Sequence, residues 1–129
     1  MMSYYLAIDM GASSGRHILG SIEDGKIKLE EIYRFENGIS KIGDEYCWDI
    51  QGLFNEIKKG IKKCKEIGKV PKTIGIDTWA VDFVLLDEND EMLGNAVAYR
   101  DDRTEGYMEK AFQVIPQDML YLYTGIQFQ

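Results

Sequence analysis

The sequence predicts an α/β fold, a mixed sheet with helices. Three observations predict it. The first third of the chain reads as three apolar strands joined by tight glycine-containing turns. Residues 50–67 carry an apolar stripe at helical spacing. A short apolar strand, 73–78, follows that helix, and a strand returning after a helix pairs in parallel.

The first strand, from Tyr4 to Ile8, is almost continuously apolar, which predicts burial on both faces. It runs into Asp9 and a small polar bend bracketed by Gly11 and Gly15. A second strand covers His17 to Glu23, and Asp24-Gly25 then gives a two-residue hairpin turn. In the third strand Ile27, Leu29, Tyr33 and Phe35 share one parity and Ile32 breaks it. A bulge near Glu30-Glu31, or an end buried on both faces, accounts for the break. Residues 37–45 read as a loop, and Tyr46-Cys47-Trp48 as a short extended piece.

Asp49 is placed to cap the helix. Ile50, Leu53, Phe54, Ile57, Ile61, Cys64 and Ile67 form the apolar stripe of an amphipathic helix; lysines fill the opposite face and the last turns, where they suit the macrodipole. Gly68 ends it. Beyond the returning strand, Phe83–Leu86 and Met92-Leu93 around the polar turn 87–91 predict a second hairpin or meander. A helix capped by Asp102 or Thr104 should run to about Val114, before Pro116, and a last one from Gln117 to Tyr123 should stop at Gly125.

The bulk composition excludes several classes. At 129 residues the chain is one domain at most, with 45% hydrophobic and 29% charged residues, ordinary for a soluble globular protein. A net charge of −7 opposes nucleic-acid and anionic-membrane binding. No stretch is long enough to span a bilayer and the N-terminus lacks signal-peptide features, so a cytoplasmic location is expected. Cys47 and Cys64 are the only cysteines and lack metal-ligand spacing; two reduced thiols are expected. His17, the only histidine, lies in an extended segment and is read as structural.

The bend after the first strand is the main chemical signal. Successive amides in such a turn form a nest that binds anions. Gly11 and Gly15 would permit unusual backbone angles and close approach of a ligand; Ser13 and Ser14 add hydroxyls and Arg16 a fixed charge. Asp9 cannot bind phosphate itself and would hold a metal that does. The competing reading is a plain hairpin turn.

The order of three strands, helix and returning strand resembles the opening of a ribonuclease-H-like domain, the half-domain of the actin, hexokinase and sugar-kinase superfamily. In that arrangement the first hairpin turn faces the cleft. Three segments then carry a more specific likeness: Asp9–Arg16, Gly75–Asp87 and Ala98–Thr104, with Tyr123–Phe128, Arg34–Gly38 and Trp48-Asp49 matching in position. Together they resemble the N-terminal domain of the FGGY carbohydrate kinases, over essentially the whole chain.

The resemblance implies transfer of the ATP γ-phosphoryl group to the 1-hydroxyl of an open-chain ketose, L-rhamnulose or a relative, with Mg2+. It implies an ATP-binding loop at Ala12, Ser13, Ser14, Gly15 and Arg16, a magnesium-side acid at Asp9 acting through water, and a sugar pocket lined by Trp79, Ala80 and Asp82. Ala80 stands where the pattern commonly has glycine. The general base is implied to be an aspartate of a later motif, beyond Gln129, so 1–129 is expected to be part of an N-terminal domain, inactive alone and liable to self-association through an open strand edge. The alternatives are another FGGY ketose kinase, and a non-catalytic ribonuclease-H-like module that binds a nucleotide or a protein.

Overall fold

The computed structural model describes residues 2–128. The chain divides after Tyr99 into two compact units. The first contains β1 (Tyr4–Met10), β2 (Ser14–Glu23), β3 (Lys26–Glu36), β4 (Ile39–Ile42), β5 (Glu45–Trp48), α1 (Ile50–Glu66), β6 (Pro71–Thr78) and β7 (Ala96–Val97). The second contains a 3-10 turn (Asp102–Thr104), α2 (Tyr107–Val114) and α3 (Gln117–Thr124). No helix among the described residues is long and apolar enough to cross a membrane.

The main sheet has the order β3-β2-β1-β6. β1 pairs antiparallel with β2 and parallel with β6, so the sheet is mixed, as the order of elements predicts. Asp24 and Gly25 close the β2–β3 hairpin with φ of 50° and 73°, the backbone of a two-residue turn that matches strand twist. The bulge in β3 falls at Ile32: His17 faces Tyr33, while Ile18 faces Glu31. It splits the apolar parity. Tyr33 and Phe35 lie across from His17 and Gly15, beside the core, whereas Ile27 and Leu29 lie across from Ile22 and Gly20 and are exposed.

Helix α1 packs on one face of this sheet. Asp49 caps it by accepting from the Gly52 amide at 2.8 Å, and Gly68 beyond its end takes φ 72°. Leu6 and Ile8 of β1, Leu19 of β2 and Cys64 of α1 form the core, with Ile57, Ile61 and Ile32 against it. The expectation that β1 is buried on both faces is corrected: Leu6 and Ile8 are buried, but Tyr5 and Ala7, which alternate with them, are exposed, so the strand is covered from the helix side only. β6 keeps apolar residues bare as well; Ile74 and Ile76 are 46% and 52% exposed.

His17 keys the helix to the sheet. It is fully buried, its Nε2 lies 3.3 Å from the Ile57 carbonyl oxygen, and its ring meets Tyr33 and Phe35 edge-on. The ring occupies the space where a Cβ at Gly60 would stand. Tyr33 continues the contact by donating to Glu56 at 2.5 Å, and Lys59 pairs with the same carboxylate. The structural reading of His17 therefore holds, although its Nδ1 has no partner.

Residues 37–45 are not a loop. β4 and β5 form a hairpin closed by Gly43-Asp44, with Gly43 at φ 63°, and β7 adds a third strand to it. The expected hairpin at 83–93 reduces to one bridge, Leu86 with Met92, around a turn in which Asp87 accepts from the amides of Asn89 and Glu91. Neither cysteine forms a disulfide, and both are buried.

In the second unit the N-cap of α2 is Gly106 at φ 75°, not Asp102 or Thr104; Asp101 instead caps the 3-10 turn through the Arg103 amide. α3 ends at Gly125, as its glycine predicts, and Phe112 packs edge-on against Phe128.

Two outcomes follow from the His17 contact. Gly60→Ala would gain about 1 kcal/mol of helix propensity at an open site, but here it should destabilise the chain by about 1–3 kcal/mol in urea titrations, because the imidazole must move. Burial lowers the His17 pKa, offset in part by the Ile57 carbonyl and the Glu56 charge. The unfolded chain then binds the proton first, so this stability is full above the ordinary histidine range and is lost as pH falls through it. The urea midpoint should fall between about pH 7.5 and 5.5, and this slope should vanish in His17→Leu.

Candidate functional site

The C-terminal end of β1 and the bend that follows gather the charged residues. Arg16 faces Asp9 across the β1–β2 ladder, and Asp77 faces Asp9 across the parallel β1–β6 ladder. The three side chains therefore stand in a row across three strands, on one sheet face. Arg16 donates from Nε at 2.9 Å and from Nη2 at 2.9 Å, both to Oδ2 of Asp9. The pair is about half exposed, so it contributes little to stability. Both of its members remain accessible to a charged ligand.

The bend is shorter than the motif suggests. Ser14, Gly15 and Arg16 already belong to β2, leaving Gly11, Ala12 and Ser13 as the turn. The Gly11 amide donates to the Ser14 carbonyl at 3.0 Å. Asn37, just past β3, closes the turn from the side: its backbone amide donates to Ser13 O at 3.0 Å and its Nδ2 to Gly11 O at 2.9 Å. Among the described residues, the Ala12 and Ser13 amides donate no hydrogen bond to the backbone.

The expected role of the glycines is corrected. Neither Gly11 nor Gly15 has a positive φ. Gly15 is required sterically, because the Phe35 ring fills the place of its Cβ. At Gly11 a Cβ would come within 3.0 Å of the Ser14 carbonyl.

A largely apolar pocket of about 300 Å³ lies near the turn, lined among others by Met10, Trp48, Leu53, Trp79, Asp82 and Phe83. Ala12 packs against the same cluster as Trp48, Ala96, Ala98 and Trp79, which joins the turn to the pocket wall. The two indoles stack with centroids 4.2 Å apart. Both donate their Nε1 hydrogen to Oδ2 of Asp82, at 2.6 Å from Trp48 and 2.8 Å from Trp79. One carboxylate oxygen thus fixes both rings.

Ala80 has an ordinary φ and is exposed, so its methyl meets no backbone restriction. The strained position is its neighbour Val81, at φ 75°, where a β-branched residue is seldom found. The structure thus brings Trp79 and Asp82 together with Trp48, and Asp9 together with Arg16 and Asp77. Sequence reasoning missed Trp48 as a pocket residue and Asn37 as a turn partner. No group of three or more acidic, histidine or cysteine side chains among the described residues is arranged as a metal cage.

A mixed sheet with a helix on one face, entered through a tight turn after the first strand, defines an actin-like sugar-kinase fold. Residues 4–129 match the FGGY family of carbohydrate kinases, N-terminal domain, and the chain belongs to this family. It is 57% identical over 128 residues to the rhamnulokinase of Halalkalibacterium halodurans, covering 99% of this chain and 27% of that protein. It is 54% identical to the rhamnulokinase of Oceanobacillus iheyensis, covering 100% and 27%. The chain thus spans about a quarter of the length of the curated relatives it matches. The gluconate kinase of Lactobacillus acidophilus shares the fold, with a TM-score of 0.79 at 16% identity over 98% of this chain and 25% of that one.

Removing the shared acceptor tests the pocket. Asp82→Ala leaves two indole donors without their charged partner, so we expect a loss of about 1.5–3 kcal/mol in chemical denaturation. A red shift of tryptophan emission in the native state should accompany it.

Proposed function

We propose that this chain is the N-terminal part of an ATP-dependent kinase that transfers the γ-phosphoryl group to the 1-hydroxyl of L-rhamnulose. The observation that carries the phosphate side is the turn at 11–14, where the Ala12 and Ser13 amides donate no backbone hydrogen bond and Arg16 follows Ser13 by three residues on β2. The identity to proteins named rhamnulokinase supports the choice of ketose.

Phosphoryl transfer needs positioning and charge stabilisation more than covalent chemistry. In this reading the amides of Ala12 and Ser13 and the hydroxyls of Ser13 and Ser14 donate to phosphate oxygens. Gly15 keeps β2 close to Phe35 and so fixes where the turn begins. Arg16 offers a charge that can turn from Asp9 toward the nucleotide. Trp79, Ala80 and Asp82 line the sugar side; Trp48 and Asp82 hold the Trp79 ring in place there. No residue of the chain is assigned as the general base, because Asp82 is engaged by two indoles and Asp77 stands beside Asp9.

The acids fit a magnesium ion. Mg2+ takes one or two carboxylates, several waters and phosphate oxygens, and Asp9 with Asp77 alongside can supply that set. Asp9 would hold the ion through water, and the ion would neutralise charge on the phosphates. The 129-residue chain by itself is expected to show no turnover, because the reading places the base outside it.

The test is a ketose panel assayed with ATP and Mg2+, on a protein of the relatives' length that carries this chain. We expect L-rhamnulose to give the highest kcat/KM; a preference for another ketose would overturn the substrate, and no transfer to any ketose would overturn the kinase reading. In the same protein Asp9→Asn should lower magnesium-dependent kcat about 10–100-fold and leave the sugar KM nearly unchanged.

A further inference from the structure

We propose that Asn37 is a positioning residue for the phosphate turn: its side-chain amide, added to the backbone bonds at Ser13 and Ser14, holds residues 11–14 in the shape that leaves the Ala12 and Ser13 amides open. The proposal rests on the nucleotide-phosphate reading of that turn.

Two hairpin turns of one sheet are held differently. The Asp24-Gly25 turn takes positive φ at both central residues, so its twist matches the strands. The 11–14 connection puts four residues between the paired Met10 and Gly15 and has no positive φ. Its hydrogen bonds to residues outside the turn converge on one residue, Asn37.

Three of the turn's carbonyls are occupied. Ser14 O accepts from Gly11 N within the turn; Gly11 O and Ser13 O accept from the side chain and the backbone of Asn37. A carbonyl oxygen left unpaired at the ligand side would repel a phosphate; here Gly11 O and Ser13 O are tied to Asn37. The ladder explains the placement. Ser14 faces Glu36, so the next residue of β3's path lies beside Ser13. Asn37 is itself fixed, since its Oδ1 accepts from the Gly38 amide at 2.8 Å.

The chemistry at position 37 is specific. The side chain must donate to Gly11 O and accept from Gly38 N at once, which a primary amide of this length does. Aspartate keeps the acceptor but turns a second oxygen on the Gly11 carbonyl. Alanine removes both bonds without adding charge.

The experiment uses the 129-residue chain and residue-resolved amide exchange. In Asn37→Asp and Asn37→Ala the Gly11 amide should exchange about tenfold faster, while Leu6, Leu19 and Leu53 stay within about twofold of the wild type. Unchanged exchange at Gly11 would overturn the proposal. So would equal acceleration at all four amides, because Asn37 would then support the fold at large and not the turn. A Mg·ADP titration separates the two layers. The wild type should show amide shifts at Ala12, Ser13 and Ser14, and Asn37→Ala should need about fivefold more nucleotide for the same shifts. Wild-type affinity in Asn37→Ala, with Gly11 loosened, would also overturn the positioning role. Absence of shifts in the wild type would overturn the phosphate reading, and the exchange rates would still decide whether Asn37 holds the turn.

Discussion

Everything on the helix side of the sheet depends on one close contact, the His17 imidazole lying where Gly60 has no side chain. A helix carrying any larger residue at that position would have to ride higher on the sheet. Because it does not, Ile57 and Ile61 reach Leu6, Ile8 and Leu19, and the core closes with few residues. The bulge at Ile32 belongs to the same arrangement. It turns Tyr33 toward Glu56 and Phe35 toward Gly15, so β3 braces both His17 and the start of β2. The buried helix contact and the exposed turn are therefore two ends of one packed column, Gly60–His17–Phe35–Gly15.

The turn and the pocket are linked by a different route. Ala12 rests on the Trp48 cluster, and that cluster is tied through Asp82 to Trp79. The small hairpin of β4 and β5 supplies Trp48, and its first strand follows directly from Asn37 and Gly38. One short stretch of chain thus props the turn at its start and anchors the pocket at its end.

The elements with a strong local signal were legible in the sequence. The Asp49 cap, the stripe of α1, the Gly68 and Gly125 stops and the Asp24-Gly25 turn each announce themselves within a few residues. The parallel pairing of β1 with β6 followed from the helix between them. β4 was not legible, because Ile39–Ile42 is short and half polar, and β7 has only two residues; both exist through tertiary pairing. The site divides the same way. Asp9, Arg16, Trp79 and Asp82 stood out by motif, and the structure pairs Asp9 with Arg16 and Trp79 with Asp82. Asn37 did not, because an asparagine before glycine reads as an ordinary turn, and its true partners depend on the β2–β3 register. Gly60 did leave a trace: a glycine in a helix interior costs about 1 kcal/mol against alanine, so its presence asks for a close neighbour.

Val81 gives the pocket wall an energetic character of its own. A β-branched residue held at φ 75° stores about 1–3 kcal/mol of backbone strain. The Asp82 carboxylate, the next residue, accepts from both indoles. A strained backbone and the hydrogen-bonded anchor of the pocket wall thus occupy adjacent positions of one short loop.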